Sequence, residues 1–353
     1  MKGHHTFNIA DCINKADCAI ESRQLQGGSI IHMSDKPQSQ PIPAVGYLLA
    51  IGATVIWSGN YVIARGLSES IPPVSLAFWR WVVAVAFLLP LGIRNMVNEW
   101  HVIKDNFLYL LLTALIGVTI FNTLIYIAGH TTTAVNLSLI AITIPVFILI
   151  LSQIFYREMI TVKKAAGVFI AITGIVLLIC NGSVSALLDI RFAPGDLLML
   201  LSSIIFAVYS ILVKQIPAQL SMHAFLLSTF ILGLIPLFPL YLWEKSVYGA
   251  GTFAPATVFS ILYVGIFASL MAFFMWNRAI LRIGPAKTAL IYYTLPIFSG
   301  IAAMIFLDEP ITLIHVFSML LIVAGIAVAG REVDKPVQQD LLKHDEKAKG
   351  GSA

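Results

Sequence analysis

Ten runs of apolar residues, approximately 44–65, 74–93, 106–128, 133–155, 163–180, 195–214, 222–243, 256–278, 285–306 and 311–330, fill most of this 353-residue chain. A helix needs about 20 apolar residues to cross about 30 Å of hydrocarbon, and each run is long enough or nearly so. Lipid offers the backbone no hydrogen bonds, so runs of this kind can only be helices or a closed barrel. The runs are continuous rather than alternating, which excludes barrel strands. They break at Pro72-Pro73, Asn181-Gly182, Pro194-Gly195-Asp196, Gly284-Pro285 and Asp308-Glu309-Pro310, where turn chemistry interrupts a helix. With 58% hydrophobic and 11% charged residues, against about 25% charged in a soluble domain, the chain reads as an all-α integral membrane protein of ten transmembrane helices.

The basic residues orient it. The segments 1–43, the even-numbered inter-span loops and the tail after residue 330 hold 17 Lys and Arg. The opposite loops hold 3, namely Arg65, Arg191 and Lys245, while Arg80 and Lys287 lie inside spans and complete the 22. The positive-inside rule therefore places both termini in the cytoplasm, with the chain in the inner (plasma) membrane. Residues 1–43 lack the apolar core of a signal peptide and read as a disordered tail, as do 331–353. Met33-Ser34-Asp35-Lys36 is a second candidate translation start; without the first 32 residues the asymmetry is still 14 to 3. His4, His5, Cys12 and Cys18 have no zinc-ligand spacing, and three cysteines make no disulfide framework. No metal or cofactor is expected, and the modest net charge of +4 reflects basic loops rather than a nucleic-acid partner.

The chain also repeats itself. Ile144-Pro145-Val146-Phe147 matches Leu295-Pro296-Ile297-Phe298, and Glu158, Thr161 and Gly174 match Glu309, Thr312 and Gly325, all 151 residues apart. Trp57 and Arg65 pair with Phe206 and Lys214 at an offset of 149. A register held across five spans is a duplication. Five is odd, so the second copy must enter the membrane upside down, giving two inverted-topology five-helix repeats at 44–180 and 195–330, joined by a linker at 181–194.

Two such halves resemble the drug/metabolite transporter superfamily, in particular the EamA-type transporters. The likeness covers residues 44 to 330. It rests on Trp57-Ser58-Gly59-Asn60 in span one, Arg80 in span two, the Pro145…Glu158-Met159-Ile160-Thr161 block and its copy Pro296…Glu309-Pro310-Ile311-Thr312. The resemblance implies ten helices around a central cavity lined by spans one, three, four, six, eight and nine, alternating access between the halves, and export.

Candidate solute-binding residues are polar or aromatic groups at depth. Arg80 is a charge well inside an apolar run, where an arginine costs about 2.5–3.5 kcal/mol unless it faces a cavity or a partner. It either meets a carboxylate on the solute or snorkels to the outer headgroups. Trp57, Asn60 and Tyr61 share one helical face, and the repeat places Phe206, Tyr209 and Ser210 equivalently, so two aromatic-polar stripes are expected to face each other. Asn122 and Tyr126 of span three, Asn136 of span four, Trp276 and Asn277 of span eight and Tyr292 and Tyr293 of span nine complete the set; an amide in lipid either bonds another helix or lines a wet cavity. Trp79, Trp81, Trp100 and Trp243 fit an interfacial belt. Pro145 and Pro296 each remove a backbone bond within a span, as gates or as fixed bends. Glu158 and Glu309 sit at turns, three residues before threonines able to cap the next helix.

Apart from Asp196 at the very start of the run 195–214, no Asp or Glu falls within the ten runs, which argues against a polycationic solute and for facilitated or potential-driven movement, or for coupling through the solute's own ionisation. Zinc-protease, nucleophile-elbow and Walker patterns are absent, so the chain is expected not to be an enzyme. The reading that results is a secondary transporter, exporting a small metabolite such as an amino acid or related carboxylate. An intramembrane enzyme or a non-transporting sensor or scaffold is the alternative, each lacking its own signature here. Lipid and a small solute are the partners named; the oligomeric state is left open.

Overall fold

The computed structural model describes residues 43–67, 70–132, 137, 140–157, 160–179, 193–249, 251, 253–295, 297–298 and 313–330. The side chains of Tyr61, Arg65 and His315, and all of Asn136, Glu158, Pro296, Glu309, the linker and both tails, lie outside these. The regular structure of the described residues is helical, with no strand among them.

The helices are α1 (Pro43–Gly66), α2 (Pro73–Asn98), the short α3 (Trp100–Asp105), α4 (Phe107–Thr131), α5 (Thr143–Tyr156), α6 (Val162–Ile179), α7 (Pro194–Val213), α8 (Met222–Tyr248), α9 (Pro255–Tyr292) and α10 (Leu313–Gly330). Five of them, α2, α4, α7, α8 and α9, are long and apolar enough to cross a membrane. In α9 the helix breaks where the sequence predicts: Gly284 takes φ 82° and ψ 161°, a conformation open to glycine. Pro285 then restarts the helix. Two stretches wind as π-helix, Leu115–Ile120 in α4 and Val264–Met271 in α9. They occupy equivalent places in the two halves of the sequence, and no feature of composition announces either one.

Helices that correspond across the 149-residue offset pack against each other or in matched pairs. α2 and α8 run antiparallel, each sealing the other's start. The Glu244 carboxylate near the end of α8 accepts hydrogen bonds from the backbone N–H of Val74 (3.0 Å) and Ser75 (2.6 Å) and from the Ser75 hydroxyl (2.8 Å). Just beyond α2, Glu99 accepts from the Ser221 N–H at 2.7 Å, while Asn95 donates to the Ser221 hydroxyl, which caps Ala224 of α8. Orphan N–H groups at a helix start, and the positive end of its dipole, are thereby met by carboxylates. Glu244 is 3% exposed, so Glu244→Ala strands buried donors; we expect a loss of about 1–3 kcal/mol, read as a lower unfolding temperature of the purified protein in detergent, with Glu244→Gln recovering part of it.

α1 lies antiparallel to α9, with the Tyr263 hydroxyl on the Ile56 carbonyl (2.8 Å) near one end and Gly46 against Ile283 near the other. α7 lies antiparallel to α4 in the same manner. Tyr109 donates to the Leu212 carbonyl (2.8 Å), Ser202 to that of Phe121 (3.1 Å), and Thr132 to the Asp196 carboxylate, which also accepts from the Ala193 N–H at 2.7 Å. α6 and α10 form the tightest pair. A Cβ added to Gly167 would stand 2.5 Å from the Ala329 nitrogen, and one added to Gly325 would stand 2.5 Å from that of Ala171. Between lipid-embedded helices such small-residue contacts substitute close packing for the missing hydrophobic drive.

Candidate functional site

The centre of the bundle is aromatic. Trp57 of α1 meets Phe206 of α7 edge-on at 5.5 Å, Phe273 at 5.8 Å and Trp276 at 5.2 Å; Phe121 of α4 stacks on Phe206 at 4.4 Å. Trp57 and Phe206, the aligned aromatics of the two stripes, thus meet; the Tyr61 side chain lies outside the described residues. Trp57, Asn60, Phe121, Asn122, Ile125, Phe206 and Tyr292 enclose a cavity of about 10 Å³, room for about one water. A cavity of that size takes a metabolite only if its walls part.

Beside that cavity lies Arg80, fully buried in α2. Its Nε donates to the Ser269 hydroxyl (2.7 Å) and one Nη to the Asn122 amide oxygen (2.7 Å) and the Tyr126 hydroxyl (2.5 Å). The guanidinium carbon sits 5.2 Å from the Trp81 ring and 5.5 Å from that of Tyr126, distances at which a cation is attracted to the ring face. Tyr126 in turn reaches the Asn60 amide oxygen at 3.3 Å. The second Nη has no hydrogen-bond partner among the described residues, and no carboxylate is among the groups that hold Arg80. Snorkelling to the headgroups is therefore not what this side chain does: polar groups of two helices, α4 and α9, hold it at depth.

The π segments place those partners. Ser269 donates to the Val264 carbonyl five residues earlier at 2.7 Å, and the Asn122 amide points to the Gly117 carbonyl, again five back, at 3.5 Å. The Trp57 indole donates to the Ala268 carbonyl at 2.9 Å. A π insertion shifts the ladder so that carbonyls become available to side chains, which is why such turns collect at functional sites. Ser269 is the site residue that sequence reading missed; a lone serine in Gly265-Ile266-Phe267-Ala268-Ser269 carries no signal until the winding of α9 is known.

A second layer adjoins the first. The Asn277 amide donates to the Tyr209 hydroxyl at 2.8 Å, and the Trp276 indole to the Ser210 hydroxyl at 3.2 Å. Tyr292 stands edge-on to Trp57 and Trp276 at 6.2 Å and 5.9 Å. Tyr293 does not join this centre. It packs with Leu149 of α5, Ile175 of α6 and Ile322 of α10, its hydroxyl without a partner among the described residues. Trp81 corrects the belt assignment: it is wholly buried against Phe230 (4.6 Å) and Phe273 (5.3 Å), because its position in α2 faces α8 and α9 rather than the interface. Trp100 and Trp243 are more than half exposed, as interfacial residues are. Pro145 falls in the first turn of α5, where its missing N–H costs nothing. Thr143 just before it donates to the Ile140 carbonyl (2.6 Å), and its copy Thr294 donates to that of Ile291 (2.7 Å). Thr161, in the turn before α6, accepts from the Lys164 N–H at 3.2 Å and so caps that helix.

What this arrangement can do is hold an anion by one arm of a desolvated guanidinium while aromatic walls hold an apolar group. Comparison with known proteins fits a carrier. The EamA-like transporter family model matches residues 44–180 and again 193–331. The chain belongs to the EamA-like transporter family. Relatives of this EamA-like chain include the uncharacterized transporter YyaM of Bacillus subtilis (strain 168), 23% identical over 290 residues, covering 82% of this chain and 95% of the relative. An uncharacterized transporter of Archaeoglobus fulgidus is 28% identical over 292 residues, 79% of this chain and 95% of its own. A more distant relative, the probable terminal-alkyne amino-acid exporter of Streptantibioticus cattleyicolor, is 24% identical over 197 residues, 55% of this chain and 63% of that one. A crystal structure matches the fold with a TM-score of 0.62 at 19% identity, covering 81% of this chain and 96% of its own. The protein is thus a multi-pass membrane transporter rather than an enzyme, with a small-molecule solute and a lipid surround.

Proposed function

We propose that this EamA-like transporter moves a small metabolite carrying a carboxylate, such as an amino acid or a related acid, outward across the inner membrane by alternating access. The observation that carries the reading is the buried Arg80, with one Nη unpartnered among the described residues, at the edge of an aromatic cavity. A buried cation without a counter-charge is costly, and a solute carboxylate that accepts from the free Nη and displaces the Asn122 or Tyr126 contact lowers that cost. Asn60, Asn122, Tyr126, Tyr209 and Asn277 supply the remaining polar contacts, Trp57, Trp276 and Tyr292 the apolar ones; Tyr61 and Asn136 are held as further candidates. The antiparallel pairs α2–α8, α1–α9, α7–α4 and α6–α10 support ten spans in two inverted repeats about an axis in the membrane plane. On this reading both termini are cytoplasmic, the halves rock about that axis to widen the central cavity, and Pro145 and Pro296, equivalent in the two repeats, are the candidate gating points. The amino-acid exporter of S. cattleyicolor supports the solute class and the direction.

The test is flux into liposomes containing the purified protein. Saturable transport is expected for members of a labelled panel of amino acids and small carboxylic acids, with neutral sugars inert. A panel that shows no saturable flux for any acid overturns the reading.

A further inference from the structure

A second recess lies on the opposite face of α9. Leu88 and Leu91 of α2, His223 of α8, and Leu270, Met271, Phe274 and Met275 of α9 line an apolar groove of about 240 Å³. Leu91 and Met271 are well exposed, so the groove opens sideways, towards hydrocarbon rather than towards the central cavity. One end of it is basic. The Arg278 guanidinium lies 5.4 Å from the Phe274 ring, and the His223 imidazole 5.5 Å from the same ring. The Arg278 Nε is buried with no hydrogen-bond partner among the described residues. Arg94, exposed and three residues beyond Leu91 on the same face of α2, stands at the same end. The first turn of α8 is there too, but its start is already met by the Glu99 carboxylate, so the positive charge left for a ligand is that of the two arginines.

The dimensions match one lipid chain. From Arg278 back to Leu270 is eight residues of helix, about 12 Å, close to half of the roughly 30 Å hydrocarbon thickness. The groove therefore runs from headgroup depth to near mid-membrane, cationic at the first and apolar at the second.

We infer that this groove is a binding site for an anionic glycerophospholipid, whose acyl chain lies along Leu88, Leu91, Met271 and Met275 and whose phosphate is held by Arg278 and Arg94 beside His223. A zwitterionic lipid offers the same chain but little net charge to the two arginines. The site backs directly onto the helix that carries Phe273, Trp276 and Ser269 on its other face. A chain wedged against Leu270 and Met271 bears on the end of the π segment, so occupancy favours one winding of α9 and is linked to the state of the central site. Which leaflet the lipid occupies rests on the proposed topology, which puts Arg94, His223 and Arg278 on the cytoplasmic side; the site itself does not.

The experiment uses full-length protein, delipidated in detergent and titrated with phosphatidylglycerol, phosphatidylcholine or soluble glycerol phosphate, with thermal unfolding as the readout. Phosphatidylglycerol should raise the unfolding temperature saturably and the other two should not, because only a ligand that prefers the folded state stabilises it. Arg94→Gln and Arg278→Gln should each weaken the apparent affinity about fivefold, from roughly 1 kcal/mol per basic contact. A phosphatidylglycerol with a photoactivatable acyl chain should label Met271, Phe274 or Met275 in wild-type protein, which decides the matter even if a variant fails to fold. Equal stabilisation by phosphatidylcholine, stabilisation by glycerol phosphate alone, or labelling confined to other helices overturns the inference. None of these outcomes depends on flux, so failure here and failure of the transport reading are separable.

Discussion

Arg80→Ala is expected to lower carboxylate flux about 100-fold in liposomes while neutral analogues, if carried at all, lose far less. The magnitude follows from what one guanidinium provides. A hydrogen bond to a charged group contributes about 1.5–3 kcal/mol net, and each 1.4 kcal/mol is a factor of ten. Arg80 offers a solute one unpartnered Nη directly and a second on displacing Asn122 or Tyr126. Removing it also strips Ser269, Asn122 and Tyr126 of the donor they share, so some loss of stability accompanies the loss of flux. Arg80→Lys separates the two effects. It keeps the charge but not the fork, and an ammonium on a shorter reach cannot meet Ser269 and Asn122 together. The lysine variant should keep its fold, retain part of the attraction for anions and still transport poorly. Equal loss for charged and neutral solutes in Arg80→Ala rejects the charge-pairing role and leaves Arg80 as a structural strut.

The second large effect lies far from the site. Gly167→Leu in α6 or Gly325→Leu in α10 should prevent recovery of stable folded protein, and the corresponding alanine variants should lose about 1–3 kcal/mol, the usual range for overpacking. At both glycines even a Cβ would lie 2.5 Å from a backbone nitrogen of the facing helix, and backbone cannot rotate away as a side chain can. The whole interface must therefore separate, giving up the close contacts that hold two helices together in lipid. Unfolding temperature and gel-filtration behaviour in detergent are the measures. A leucine variant as stable as the wild-type protein would show that α6 and α10 do not pack as closely as the structure has them.

Much of the bundle is legible in the residues because lipid is an unforgiving solvent. Continuous apolar runs have to be helices, glycine and proline mark where they stop, and Gly284-Pro285 is a break that the structure reproduces. The chemistry was only half legible. A charge in an apolar run flags Arg80, yet burial against Ser269 and snorkelling to a headgroup are written in the same letters. Trp81 resembles a belt residue by position and is a core residue in fact. The reciprocal capping of α2 and α8 by Glu244 and Glu99 joins residues about 170 and 122 positions apart, and nothing local to either glutamate points to its partner.

By itself, then, the sequence determined the helices, their membrane setting, the duplicated register and an arginine that needs a reason to be where it is. These follow from hydropathy, turn chemistry and counting, which are properties of neighbours along a chain. Only the tertiary structure decided that Trp57 meets Phe206, that π turns aim Ser269 and Asn122 at Arg80, and that Tyr293 turns away. Those depend on how each helix is rotated about its own axis and where its winding slips by one residue, and both are set by contacts between segments far apart in the chain.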